Sequence, residues 1–381
     1  MQITIWLLAA FCIFTLSMHC VTTVVALMRC KPRELPLRRP RRPPAVTIVR
    51  PLCGLDHGIA ETLGSGFALD YPRYDLVFCV AQANDPVIPL VERLIQQHPD
   101  IRATLLVGND RISINPKLNN CVKGWRAATA PWIVLADANV LMPPDYIQRL
   151  LAAWQPDTGL VCSPPVGSDP DGFWADVECA FLNAYQARWQ YFADTIGLGF
   201  AQGKTMLWRR DILEAAGGIL ALGSEVAEDA ASTKLVRAAG LQVRLVDGPF
   251  AQPLGRREAV AVWQRQVRWA RLRRASFPLY FSAELVSGGF VAVLAAAATA
   301  ALIGTSIVGA AGATAAFWYG SELLLAYACG WPLSWRTPLA AVMRDLLQPV
   351  IYFAGWRDAG FEWRGNAMTV EAAAATITPS D

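Results

Sequence analysis

The sequence is short of the residues from which metal and redox centres are usually built. Its three histidines, His19, His57 and His98, lie far apart, which argues against a zinc site or a histidine base. Nine cysteines are scattered with no Cys-x-x-Cys pair, and Cys12, Cys79, Cys162 and Cys329 sit in apolar segments, a pattern of reduced, structural thiols. Net charge is also small: 34 Lys and Arg against 31 Asp and Glu leave +3, which argues against nucleic acid as a partner. No internal repeat is evident. Apolar residues are abundant, at 54% of 381 residues with a mean hydropathy of +0.30. That is high for a soluble enzyme, so part of the chain is expected in lipid.

The first candidate is the run from Ile3 to Met28, which has no acidic or basic residue and at 1.5 Å per residue is long enough to cross a roughly 30 Å hydrocarbon core. Arg29, Lys31, Arg33, Arg38, Arg39, Arg41 and Arg42 follow it among prolines. Charge after the apolar core rather than before it favours an anchor over a cleaved signal peptide and puts this flank in the cytoplasm. Residues 1–28 are thus expected as a transmembrane anchor and 29–45 as a basic, proline-rich linker.

From Val46 the pattern becomes short β-branched runs: Val46 to Leu52, Tyr74 to Ala81, Arg102 to Val107 and Trp132 to Asp137, with further strands at Leu160 to Ser163 and Val243 to Val246. They read as strands buried on both faces. Val87 to Gln97 and Lys117 to Ala130 have helical character. Alternation of strand and helix predicts an α/β domain over 46–277 with a mostly parallel, Rossmann-like sheet that presents ligands at the strands' carboxyl ends. The region 278–356 is expected to return to the membrane, with two spans between Phe290 and Gly330 and a third apolar segment, Pro338 to Trp356, ahead of a tail at 357–381. Arg344 and Asp345 in that third segment are costly in lipid unless they pair or lie at the interface.

Asp85 follows the second strand, Asp137 ends the fourth, and Glu228 and Asp229 stand together in Val-Ala-Glu-Asp-Ala-Ala. A strand-end Asp is placed to meet a hard divalent ion, usually held by one or two carboxylates plus phosphate oxygens. Asp137 is the metal-ligand candidate. In Trp263 to Arg274, helical spacing puts Arg265, Arg268 and Trp269 on one face. Two guanidinium forks there suit a diphosphate.

The ordered set Arg50 to Asp56 (Arg-Pro-Leu-Cys-Gly-Leu-Asp), Asp70 to Tyr74 (Asp-Tyr-Pro-Arg-Tyr), Ile114 to Asn120 (Ile-Asn-Pro-Lys-Leu-Asn-Asn), Ala227 to Asp229 and Arg265 to Trp269 resembles membrane-bound GT-A glycosyltransferases of the ceramide glucosyltransferase type, including a bacterial branch associated with hopanoid biosynthesis. The resemblance covers most of the chain. It implies a GT-A fold with transmembrane helices at both ends, a UDP-sugar donor, Mg²⁺ or Mn²⁺ as cofactor, and a membrane-lipid acceptor, either ceramide or a hopanoid such as bacteriohopanetetrol. It further implies an integral protein of the bacterial inner membrane whose catalytic domain faces the cytoplasm.

Residue by residue, the resemblance makes Asp85 a nucleotide contact, Asp137 the metal-linked aspartate and Asp229 the general base of an inverting transfer, with Glu228 as the runner-up. Lys117 and Asn119 fall in the nucleotide-side loop, while Arg265, Arg268 and Trp269 form the signature at the acceptor and diphosphate end. Two departures stand out. The second acidic motif is Asp137-Ala138-Asn139 rather than Asp-x-Asp, and Asn183 to Asp194 contains no histidine. A processive polysaccharide synthase shares the acidic set but needs a polymer channel, and a noncatalytic nucleotide-sugar-binding scaffold predicts tolerance of substitution at Asp229.

Overall fold

The computed structural model describes residues 2–31, 42–357, 360–363 and 366–369. Arg33, Arg38, Arg39 and Arg41 of the basic linker, and the tail from 370, lie outside the described residues. The chain forms two compact units that interleave in sequence.

The first unit comprises the described parts of Arg33–Val166, Ala193–Leu254 and Gly360–Asp381. It is built on a seven-stranded sheet: β1 (Val46–Leu52), β2 (Tyr74–Val80), β3 (Ala103–Val107), β4 (Trp132–Ala136), β5 (Thr158–Cys162), β6 (Thr205–Arg209) and β7 (Gln242–Leu245), in the order β3-β2-β1-β4-β6-β5-β7. Neighbours run parallel except where β6 inserts antiparallel between β4 and β5. The sheet is therefore mostly parallel, as expected. Its central strands are apolar on both faces because helices cover both sides. Ile48, Phe78, Val80, Val134, Val161 and Leu207 are fully buried in one continuous core. The predicted strands fall within about two residues of those observed, and helices Ile88–Gln97 and Pro116–Ala127 occupy the two predicted helical stretches.

The second unit comprises the described parts of Met1–Pro32, Gly167–Phe192 and Gly255–Ala359. It thus takes in Gly167–Phe192 and 255–277, which the sequence reading assigns to the α/β domain, together with 278–356, which it assigns to the C-terminal membrane region. Helix Gln2–Cys30 is the one helix among the described residues that is by itself long and apolar enough to cross a membrane. Its residues are arranged inside out: Ile3 and Trp6 are 76% and 74% exposed, while Thr15, His19, Thr22, Ala26 and Cys30 form the buried stripe. Apolar residues outside and small or polar ones inside suit a helix that packs against protein within lipid. In the buried stripe, His19 Nε2 lies 2.6 Å from Ser321 Oγ and its ring stacks on Trp318 at 3.8 Å.

Two helices occupy the stretch between Phe290 and Gly330 where two spans are expected, and neither is by itself both long and apolar enough to cross a membrane. Helix Gly289–Ile303 has 15 residues, a rise of about 22 Å that falls short of the hydrocarbon core. It passes as a span only when joined to Pro278–Val286 across a 49° bend. Helix Ile307–Ala328, restarted by the Ser306 cap, is long enough, but Gly, Thr, Ser, Tyr and Glu322 dilute its apolar character. Arg344 and Asp345, on helix Thr337–Arg357, do pair. Arg344 Nε donates to Asp345 Oδ1 at 2.9 Å, and its two Nη atoms donate to Glu322 at 3.0 and 3.1 Å. Asp345 Oδ2 in turn accepts from the Gly289 N–H and the Tyr319 hydroxyl. Each buried carboxylate is therefore hydrogen-bonded, with one guanidinium shared between the two, which lowers the cost that an isolated ion would carry.

Candidate active site

β4 ends at Ala136, and Asp137 follows where the chain leaves the sheet. The Asp137 N–H donates to the Lys204 carbonyl at 3.0 Å, extending the β4–β6 ladder one step past the Ala136–Thr205 pair. Arg50 of β1, fully buried, holds the outgoing loop: its guanidinium donates to the carbonyls of Asp137 (3.1 Å), Ala138 (2.9 Å), Val140 (3.0 Å) and Thr62 (2.6 Å). Burial pulls this guanidinium down to about 10, still charged at neutral pH. The sequence placed Arg50 in a motif but gave it no task. Its task here is to fix the backbone that carries Asp137.

Each oxygen of Asp137 is met by an ammonium, with Lys117 Nζ 2.7 Å from Oδ1 and Lys204 Nζ 2.8 Å from Oδ2. Burial alone raises a carboxyl pKa; the two ammoniums outweigh it and hold Asp137 well below the usual carboxylate range. Lys117 also lies 2.6 Å from Glu228 Oε1 and donates to the Gly203 carbonyl. Burial disfavours its charge, but Asp137 and then Glu228 reverse the effect and keep it protonated. Lys117 is positioned by Asn115, which caps helix Pro116–Ala127: Oδ1 accepts from the N–H groups of Lys117 (2.9 Å) and Leu118 (3.2 Å), ahead of a proline at the first helical position. Asn115 Nδ2 donates to Glu228 Oε2 at 2.7 Å. Both oxygens of Glu228 are thus engaged in holding the cluster together.

Asp229 is placed differently. In the first turn of helix Glu228–Ala238, it accepts from backbone alone: Oδ2 from the Gly203 N–H at 3.2 Å and Oδ1 from the Ala230 N–H at 2.8 Å. Burial, and after it the neighbouring Glu228, push its pKa up to about 6. A carboxyl group poised there can take a proton near neutral pH. Gly203 connects the two halves of the cluster, and a Cβ at that position would lie 2.8 Å from Glu228 Oε1 and 3.0 Å from Lys117 Nζ. A side chain at 203 would have to displace these two charged ends.

A family description, Glycosyl transferase family 21, matches residues 3–375. The chain belongs to this family. Among relatives, it is 28% identical over 237 residues to Ceramide glucosyltransferase 1 of Caenorhabditis elegans, covering 62% of this chain and 51% of that protein. It is 24% identical over 332 residues to Ceramide glucosyltransferase 3 of the same organism, covering 85% and 72%. The chain therefore spans about half the length of the first relative. Among solved structures, a mannosyltransferase, PcManGT from Pyrobaculum calidifontis in complex with GDP-Man and Mn²⁺, is similar with a TM-score of 0.53 at 20% identity, covering 89% of this chain and 99% of that one. That likeness is one of fold.

In this family 21 chain the other expected site residues fall in three places. Asp85, two strands from Asp137 with β1 between, accepts from the Gly54 N–H on both oxygens at 3.1 Å and from the Val87 N–H at 3.0 Å, tying together the loops that follow β1 and β2. Asn119 is turned toward its own loop: Oδ1 accepts from the Ile112 and Ser113 N–H groups, and Nδ2 donates to the Ser113 carbonyl. Arg265, Arg268 and Trp269 lie on helix Ala259–Ser276 of the second unit. There Arg265 pairs with the buried Glu178, which Arg257 also approaches at 3.3 Å, and the Arg265 guanidinium stands 5.9 Å from the Trp269 ring centroid.

Sequence reasoning missed Arg50, Asn115, Gly203 and Lys204 as parts of the site. Asn115 before Pro116 carried a local signal, that of a helix cap. Gly203 and Lys204 carried none, because their importance comes from the strand pairing. Among the described residues, no three His, Cys, Asp or Glu side chains gather into a metal-holding group.

Proposed function

We propose that this family 21 chain is an inverting hexosyltransferase that moves a hexose or N-acetylhexosamine from a UDP-sugar to a hydroxyl of a membrane lipid, ceramide or a hopanoid polyol such as bacteriohopanetetrol. The observation that carries the reading is Asp229, a half-buried carboxylate held by two backbone N–H groups, raised to about 6 and set beside a lysine-paired cluster at the sheet's carboxyl edge. The names of the relatives support the lipid acceptor and the sugar donor.

In this mechanism Asp229 takes the acceptor's hydroxyl proton as its oxygen bonds to the anomeric carbon. The bond from that carbon to the phosphate oxygen breaks, and the nucleoside diphosphate departs with the electron pair. A single displacement of this kind inverts the anomeric centre. General-base assistance is worth about 10²- to 10⁴-fold. Lys117 and Glu228 keep the carboxylate edge in shape, and Asp85 and Asn119 shape the loops on the nucleotide side. Arg265 and Arg268, with Trp269 flanking, are assigned to the diphosphate, whose charge grows in the transition state.

Mg²⁺ or Mn²⁺ is the proposed cofactor, and the donor chemistry fits. Asp137 Oδ2 and Asn139 Oδ1 converge on one cationic centre, the Lys204 ammonium, at 2.8 and 3.2 Å. These two residues would hold the ion, whose contribution when bound is to neutralise the leaving diphosphate. The proposed setting is the bacterial inner membrane, with the sheet-bearing unit in the cytoplasm on the side of the basic flank.

The test is to incubate the full-length protein in nanodiscs with a panel of UDP-sugars and lipid acceptors, then identify products by mass spectrometry. One added hexose or N-acetylhexosamine on a lipid is the expected product. A polymer, or donor hydrolysis with every lipid left unmodified, refutes the reading.

A further inference from the structure

Lysine is rare in this chain: Lys31, Lys117, Lys123, Lys204 and Lys234 are all it has, against an abundance of arginine. Two of them meet at Asp137, and they are held differently. Lys117 has three acceptors around its ammonium, Asp137 Oδ1, Glu228 Oε1 and the Gly203 carbonyl, and its side chain is 11% exposed. Lys204 enters from β6, directly across the ladder from Asp137, and its ammonium lies between Asp137 Oδ2 and Asn139 Oδ1. A hard divalent ion would seek those same two oxygens. An ammonium and a dication cannot share them, since like charges a few ångströms apart repel strongly in a partly buried site.

We propose that Lys204 is a built-in counter-ion that occupies the cation position of the Asp137–Asn139 pair and must be displaced for a divalent ion to bind there. The inference rests on the metal assignment above and adds a consequence for binding order. Metal alone must break the Lys204 pairing with Asp137 and Asn139. Metal arriving with a nucleoside diphosphate brings anionic oxygens that the ammonium can join. Divalent-ion binding and diphosphate binding are therefore coupled through one side chain, and by linkage each strengthens the other by the same factor. The lysine also keeps Asp137 doubly paired when the donor is absent, so the carboxylate is never left buried and uncompensated.

The experiment measures Mn²⁺ affinity, by calorimetry and by the Mn²⁺ paramagnetic resonance signal, on the full-length protein in detergent with and without UDP. The proteins compared are wild type, Lys204→Met, Lys204→Arg and Lys234→Met. The last removes one positive charge from a residue paired with Glu225 away from the cluster, and thermal unfolding checks that each variant is folded.

The expected result is that Lys204→Met binds Mn²⁺ alone about tenfold or more tightly than wild type and loses most of the enhancement by UDP, within the usual 5- to 150-fold range of coupling between sites. Lys204→Arg should still compete, and Lys234→Met should bind as wild type does. Unchanged or weaker Mn²⁺ affinity in Lys204→Met overturns the counter-ion role while leaving the metal assignment standing. Equal tightening in Lys234→Met also overturns it, because net charge is then the cause. Absence of Mn²⁺ binding in every protein, with UDP present, overturns both the counter-ion role and the metal assignment; lipid transfer is judged separately by its product.

Discussion

Replacing Asp229 by Asn removes the proposed base while preserving size, and the structure predicts linked effects on rate and on stability. A base with a pKa of about 6 must be deprotonated to act. Wild-type kcat/KM should therefore fall about tenfold per pH unit below 6 and level off above it, while Asp229→Asn should lie at least about 10²-fold lower at pH 7.5 and show no such step.

The stability effect has a definite sign. The folded-state pKa is raised above the ordinary 3.8, so the folded protein binds the proton more tightly than the unfolded chain. Stability attributable to this group is greatest below pH 3.8 and is lost as pH rises to about 6. At 1.36 kcal/mol per pH unit, the loss is about 3 kcal/mol. In Asp229→Asn that loss should vanish, offset at all pH by about 1–2 kcal/mol because one of the two backbone N–H groups now faces an amide NH₂. Denaturant unfolding of both proteins between pH 4 and 8, alongside transfer rates, supplies the comparison. A variant with near-wild-type turnover, or a wild-type rate independent of pH between 5 and 7, refutes the assignment of Asp229 as base.

Gly203→Ala should lower stability by about 1–3 kcal/mol, measured by chemical unfolding, and transfer more severely, because its Cβ would press on Glu228 and Lys117. Arg344→Met should cost about 3–5 kcal/mol by leaving Glu322 and Asp345 unpaired in the interior; thermal stability in detergent should drop accordingly, and Glu322→Gln should be milder. Arg268→Lys keeps the charge but loses the planar fork, so transfer should fall by about tenfold or more with protein yield unchanged. A cysteine introduced at Arg38 should resist a membrane-impermeant reagent in intact cells, and ready labelling there would reverse the proposed orientation.

What the sequence made legible were the features with local causes. Val46–Leu52 and Trp132–Ala136 were readable because a strand buried on both faces is rich in β-branched and aliphatic residues without polar alternation, Arg50 being the charged exception in the first. Asp137 was readable as the residue that ends such a run. β6 was missed because Thr-Met-Leu-Trp-Arg has a single β-branched residue and follows Gly-Lys, which reads as a turn. Missing β6 hid the rest, since Gly203 and Lys204 reach the site only through that strand's pairing with β4. Asp229 was placed ahead of Glu228 by the family resemblance and not by any local feature of the sequence. Their difference lies in which partners fold against them, Asn115 and Lys117 on Glu228 and backbone alone on Asp229. Where the C-terminal apolar stretch divides was not legible, because composition does not reveal where a helix stops; Gly304 and Ser306 divide it.

The pairing of His19 with Ser321 spans 302 residues of sequence. At a synthesis rate of about 5–20 residues per second, the ribosome needs roughly 15–60 s to make the chain between them. The first helix is therefore complete, with its Thr15, His19 and Thr22 stripe lacking the C-terminal partners it will later pack against, well before those partners are made. During that interval the polar stripe has none of the C-terminal partners that cover it in the finished fold. Assembly of the second unit thus closes late, when the last third of the protein returns to the first thirty residues, and a chain truncated before Ser321 should leave this stripe uncovered.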